Sequence, residues 1–268
     1  MTDSPLIYEK RPDGVAVLRL NRPDIHNAFD DKLIGELSSV LKTVAQDDSV
    51  RVLLLASEGK SFSAGADLDW MRRMAASGEH ENFTDAMALT DMMEALDRMP
   101  MPVVARVQGA AMGGGVGLVA CCDIAIAADS ASFAFSEVRL GIIPSAISPY
   151  AVRAIGTRHA RRYFLTGERF DADTAHRIGL VHEVVPADRL DATVDGILDA
   201  ILKSGPQATR AAKNLVHLVD GVEFDGNLRR ETALRIGRIR ASKEGREGLS
   251  AFLEKRKPSW VSANGGSE

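Results

Sequence analysis

Two cysteines in 268 residues, side by side at Cys121 and Cys122, leave little with which to build a disulfide framework or a thiolate metal site. Set in apolar sequence, they read as reduced core thiols and point to a reducing, cytoplasmic setting. Histidine is equally sparse. His26, His80, His159, His176, His182 and His217 never recur at i,i+4 and follow no cysteine pattern, so no metal site is expected. Aromatic residues make up only 5% of the chain, and the formal charge of −4 argues against a nucleic-acid surface. Long apolar runs are missing too. The stretch from Ala110 to Cys122 is too short to span a bilayer, and the N-terminal segment has no secretory apolar core. Nucleotide loops fail on spacing. Leu118 stands where a G-x-G-x-x-G run from Gly113 needs its last glycine, and Leu54 stands where a Walker loop ending Gly59-Lys60-Ser61 needs its first.

What is present is 45% hydrophobic and 26% charged, enough for one substantial core with a smaller appendage. Short apolar runs at 15–20, 52–56, 103–107 and 124–127 read as strands, and the helical patterns between them imply crossovers. Apolar positions at Leu33, Ile34, Leu37, Val40, Leu41 and Val44 give one face of a helix over 30–45. A second helix is predicted over 82–98, ending before Pro100, and a third begins inside the triple glycine at 113–115. Past about Ser148 helical patterns dominate. The expected division is a core over 1–195 and a helical region over 196–268, with residues 262–268 as a disordered end. The basic run between Arg229 and Lys257 reads as a solvated helix face, and the apolar pair Phe252 and Leu253 as a docking point on this chain or another.

Two small-residue turns carry the chemistry: Ser61-Phe-Ser-Ala-Gly-Ala-Asp-Leu68 and Gly109-Ala-Ala-Met-Gly-Gly-Gly115. Glycine and alanine leave the backbone bare enough for close approach, and a helix starting just after such a turn points free N–H groups at negative charge. These are the parts of an oxyanion hole. Close helix packing is the alternative use of the glycines. Asp67, at the head of a helical pattern, reads chiefly as its cap. Glu137 follows the alternating Phe133-Ala-Phe-Ser136 and reads as a strand-end carboxylate desolvated at an apolar pocket.

Taken in order, Leu20-Asn-Arg-Pro23 with Asn27-Ala-Phe29, Ser63-Ala-Gly-Ala-Asp67, Gly109 to Gly115, Cys122-Asp-Ile-Ala-Ile126, Ser136-Glu-Val-Arg-Leu-Gly141, Gly179 to Pro186 and Lys213-Asn-Leu215 resemble the crotonase (enoyl-CoA hydratase/isomerase) superfamily over nearly the whole chain. The resemblance implies an α/β spiral of repeated ββα units with a C-terminal helical region that drives trimers or hexamers. It implies an acyl-CoA thioester substrate and no further cofactor. The thioester oxygen would sit between the amides of Ala66 and Gly114, with Glu137 exchanging the proton. Ala64, Asp67, Leu68 and Asp69 would border the coenzyme A, and Asp24 to His26 would edge its nucleotide end.

One position departs from that pattern. Gly117 stands where two-glutamate hydratases carry a second glutamate, so the two-carboxylate mechanism is in doubt. Hydration by Glu137 alone, Δ3–Δ2 isomerisation by the same residue and a thioester binder of low activity remain open. The segments 67–74 and 143–150 are similar to those of bacterial hydratases of methylglutaconyl-type thioesters, whose distal carboxylate Arg72 or Arg73 would clamp. Solvated helix-surface arginines are the other expectation for both.

Overall fold

A computed structural model describes residues 4–261; the predicted disordered end at 262–268 lies outside them. The backbone is a sheet of six strands in the order β1-β2-β3-β4-β6-β9: β1 (Leu6–Lys10), β2 (Val15–Leu20), β3 (Val52–Ser57), β4 (Val103–Val107), β6 (Ile124–Ala128) and β9 (Glu183–Val185). Only β1 runs antiparallel to its neighbour; the others are parallel. Parallel strands need both faces covered, which is why these runs are almost wholly apolar.

Alternate residues serve the two faces. Val15, Val17, Val52, Leu54, Val104 and Ile126 pack beneath Leu190, Val194 and Leu198 of α7 (Leu190–Lys203). On the other face Leu18, Leu20, Leu53, Leu55 and Val107 join Leu33, Ile34, Leu37 and Leu41 of α1 (Asp31–Ala45) and Met92, Met93 and Leu96 of α3 (Glu79–Asp97). Asp30 caps α1 by accepting from the Leu33 amide at 2.8 Å.

A second ladder of short pieces runs beside this sheet. Phe29 bridges Ala66, Ser63 bridges Ala111, β5 (Ala111–Met112) pairs with β7 (Ser132–Ala134), and β7 pairs with β8 (Phe170–Asp171). After each of β2, β3, β4 and β6 the chain therefore adds one rung to this ladder before its next helix, which is the repeating unit of the spiral. The ladder brings 29, 66, 111 and 133 together although they are far apart in sequence.

Four features differ from the sequence reading. β1 was not anticipated, because its alternation spans only five residues and three of them are exposed. The helix expected from residue 82 starts at Glu79, where the Glu81 carboxylate accepts from the Gly78 amide at 2.6 Å and closes its first turn. β9 returns to the main sheet well beyond Ser148. The division drawn at residue 195 falls inside α7, whose buried face belongs to the core. Beyond it lie α8 (Pro206–Val219), α9 (Gly226–Ala241) and α10 (Lys243–Leu253). Before it, α4 (Gly114–Cys121) and α5 (Ser148–Thr166) stack on the core, with α2 (Leu68–Ala76) near the second ladder and α6 (Ala172–Arg177) after β8.

Candidate active site

The first turn is held from behind by a buried asparagine. Asn27 is fully buried, and its side-chain amide donates to the carbonyls of Glu58 at 2.8 Å and Ser61 at 2.9 Å while its oxygen accepts from the Arg22 amide. Gln108 adds further bonds to the carbonyls of Ser57, Gly59 and Ser61. The Ser63 hydroxyl donates to the Asn27 carbonyl at 2.8 Å and accepts from the Gly65 amide. None of these roles was legible as chemistry in the sequence. Only the grouping of small polar residues around 57–63 hinted at them.

Within 63–67 and 112–114 every backbone amide but two has a protein acceptor. Ser63 donates to Ala110 O, Ala64 to His26 O, Gly65 to Ser63 Oγ, Asp67 to Phe29 O, Met112 to Ser63 O and Gly113 to Ala134 O. Among the described residues, Ala66 and Gly114 donate to no protein acceptor. The cause is geometric in each case. In the parallel bridge to Phe29, residues 65 and 67 on either side make the bonds, so the amide of Ala66 points away from Phe29. Gly114 is the first residue of α4, where no intrahelical acceptor exists.

The turns touch. A Cβ on Gly65 would lie 2.8 Å from the Met112 carbonyl oxygen and 3.7 Å from the Gly114 nitrogen. One on Gly114 would sit 2.7 Å from the Phe29 ring, so a side chain there would push the amide aside. Gly113 itself takes φ +51°, a conformation that favours glycine.

Glu137 lies over this turn. A Cβ on Gly113 would be 3.1 Å from Glu137 Oε1, which puts the carboxylate beside the start of α4. Its other oxygen, Oε2, is buried without a hydrogen-bond partner. Desolvation raises its pKa above the ordinary glutamate value, offset in part by its own backbone amide. The residue opens a 3-10 turn, Glu137–Leu140, rather than ending a strand, because the chain leaves β7 at Ala134.

The remaining candidates gather on one rim. Asp67 caps α2, accepting from the amides of Asp69 at 2.8 Å and Trp70 at 3.2 Å, and its other oxygen faces Arg22 at 3.4 Å. Arg22 also pairs with Asp30 at 2.9 Å, tying the heads of α1 and α2 together. Ala64, Ala66, Leu68 and Asp69 are exposed. His26, whose carbonyl receives the Ala64 amide, brings the 24–26 turn to the same rim. Trp70 Nε1 donates to Asp85 Oδ1 at 3.0 Å and fixes α2 against α3.

The arginine clamp is not what this geometry offers. Arg72 pairs with Asp69 and Arg73 with Asp31 at 2.5 Å, both on the exposed surface. Arg139 is likewise exposed and lies beside Gly167.

Two undonated amides beside a desolvated carboxylate suit chemistry next to a carbonyl, and comparison with known proteins agrees. The profile of the family described as Enoyl-CoA hydratase/isomerase matches residues 10–263. The chain belongs to the enoyl-CoA hydratase/isomerase family. It is 35% identical over 259 residues to a crotonyl-CoA hydratase of Syntrophomonas wolfei, covering 96% of this chain and 98% of that one. An enoyl-CoA isomerase/hydratase of Mycosarcoma maydis is also 35% identical, over 274 residues, with the same shares of the two chains covered. A solved enoyl-CoA hydratase from Shewanella pealeana superposes with a TM-score of 0.92 at 47% identity over 96% of each chain. The fold is thus the α/β crotonase fold with a C-terminal helical region.

Gly117 is the position where the resemblance to two-glutamate hydratases implied a second glutamate. Gly117 lies one helical turn beyond Gly113, to whose carbonyl its amide donates at 3.2 Å. The space in front of it is filled: a Cβ there would overlap the Ile147 Cγ2 methyl and come within 3.1 Å of Met93 Cε.

Proposed function

We propose that this chain is an enoyl-CoA hydratase that adds water across a 2-enoyl-CoA double bond with Glu137 as its one acid/base residue. What carries the reading is the pair of undonated amides, Ala66 and Gly114, on turns that abut beside the Glu137 carboxylate, whose Oε2 is buried without a partner. Glu137 takes a proton from water as the water oxygen bonds C3. The π electrons shift through C2 onto the thioester oxygen, and the two amides stabilise that enolate. The carboxylic acid so formed returns a proton to C2, and the net change is addition of water. Its raised pKa suits a group that must hold a proton between the two steps.

The reading extends to a branched or carboxylated acyl group of the methylglutaconyl type, supported by the similarity of segments 67–74 and 143–150. Ala64, Asp67, Leu68 and Asp69 would border the coenzyme A, which enters as part of the substrate. A homotrimer or homohexamer completes the proposal. Its support is that α8 and α9 bury no residue within the chain and α10 buries only Ala251, while Phe252 and Leu253 are about four-fifths exposed. A cytoplasmic setting fits the two free, buried thiols.

One observation favours a second reading, Δ3–Δ2 isomerisation. With Ile147 and Met93 in front of Gly117, one base would have only to carry a proton between two carbons of an allylic thioester. A panel of CoA thioesters separates the two. Mass gain of one water from a 2-enoyl-CoA supports hydration; migration of a 3-enoyl double bond at constant mass, with no hydration, replaces it with the isomerase. Turnover of neither rejects both.

A further inference from the structure

We infer that Ile147 is a positioning residue that sets acyl selectivity and keeps Glu137 the sole carboxylate at the reacting carbons, an inference that rests on the proposed thioester chemistry. Side chains on a helix lean toward its N-terminus, so any side chain at 117 would lean over the 113–114 turn, where the free amide and Glu137 are. The Ile147 Cγ2 methyl takes that place, with Ile147 Cβ 2.9 Å from where a Cβ on Gly117 would lie and Met93 Cε at 3.1 Å. Both residues are buried in the main core, Ile147 at 2% exposure and Met93 at 0%.

Ile147 is also well anchored. It immediately precedes α5, and its carbonyl accepts from the Ala151 amide at 3.0 Å. The methyl therefore stands on a fixed backbone rather than on a loop tip. Its branching matters more than its volume: valine keeps a methyl on Cβ where Cγ2 stands, whereas leucine keeps the carbon count and lacks that methyl.

Two consequences follow. The space a side chain at 117 would need is taken, so α4 has no room there for a second polar group opposite Glu137. With the thioester oxygen on the Ala66 and Gly114 amides, the acyl group on this inference extends toward the Ile147 side of α4, where one methyl would be worth about tenfold in selectivity.

The test compares wild type, Ile147→Val, Ile147→Leu and Ile147→Ala on thioesters graded in acyl length and branching, reading KM and kcat separately with thermal stability beside them. Valine is expected to match wild type. Leucine and alanine are expected to shift preference toward bulkier acyl groups by about tenfold, chiefly in KM. Gly117→Ala is expected to destabilise less beside Ile147→Leu than in the wild-type background, because the closest contact, to Cγ2, is gone while that to Cβ at 2.9 Å stays. Turnover with the same acyl profile in valine, leucine and alanine variants would overturn the assignment while leaving the proposed function standing. If alanine does not fold, the valine and leucine pair decides alone. A wild type that turns over no thioester would overturn the functional reading and this one with it.

Discussion

The turns of the second ladder and the three C-terminal helices are built on opposite principles. Around residues 61–67 and 109–117 the packing is so close that a Cβ on Gly65, Gly109 or Gly115 would collide with backbone, and one on Gly114 or Gly117 with a neighbouring side chain. Buried Asn27 and Ser63 satisfy the polar groups left between. The C-terminal helices bury almost nothing within the chain. Polar latches hold α8 instead, Lys213 to Asp123 at 2.7 Å and Arg210 to Val50 O at 3.0 Å, and two more fix the flanking segments, Arg51 to Ser204 O at 2.6 Å and Trp260 Nε1 to Lys203 O at 3.2 Å. Preorganisation is concentrated where charge would develop. The helical region is left with exposed apolar side chains, Phe252 and Leu253 among them.

The sharpest way to break that contrast is Glu137→Gln. Turnover is expected to fall about 100- to 10,000-fold with thioester affinity nearly kept, measured by steady-state kinetics and calorimetry. The same variant tests burial. Because the folded pKa is raised above 4.5, the native state holds the proton longer than the unfolded chain, so this group's contribution to stability falls as pH rises through the window between the two values. Glu137→Gln is therefore expected to melt above wild type at neutral pH. The gain should vanish below pH 4.5, as thermal scans across pH would show.

Gly114→Ala comes next. Its Cβ would press on Phe29, displace one of the two amides and lower kcat about 100-fold, the effect of losing one oxyanion donor. Lys213→Met probes the other region. Lys213 is 7% exposed and Asp123 29%, and losing their bond is expected to cost about 2 kcal/mol in denaturant unfolding, Asp123 keeping the Val103 amide. Turnover at saturating substrate should change far less than for Gly114→Ala. Arg72→Ala, at an exposed pair, should move stability and turnover by no more than about 0.5 kcal/mol equivalent; a larger loss of turnover would restore the carboxylate clamp.

Much of this was readable in the residues. Four of the six strands of the main sheet lie where short apolar, partly β-branched runs placed them, and α4 begins inside the triple glycine. The two turns and Glu137 were also the segments singled out for chemistry, and they do meet. What escaped was whatever depends on a distant partner. β1 exists because β2 offers it an edge. The Ile147 contact with Gly117 links positions thirty residues apart, with no local pattern to reveal it. Arg72 and Arg73 could not be placed until their neighbours Asp69 and Asp31 were seen to hold them.

The most direct measurement is a crystal structure of Glu137→Gln with an enoyl-CoA thioester bound. The thioester oxygen should lie about 3 Å from the backbone nitrogens of both Ala66 and Gly114, with C2 and C3 facing residue 137. A thioester oxygen turned toward solvent, or held by one amide or neither, would contradict the oxyanion hole on which the proposed chemistry stands.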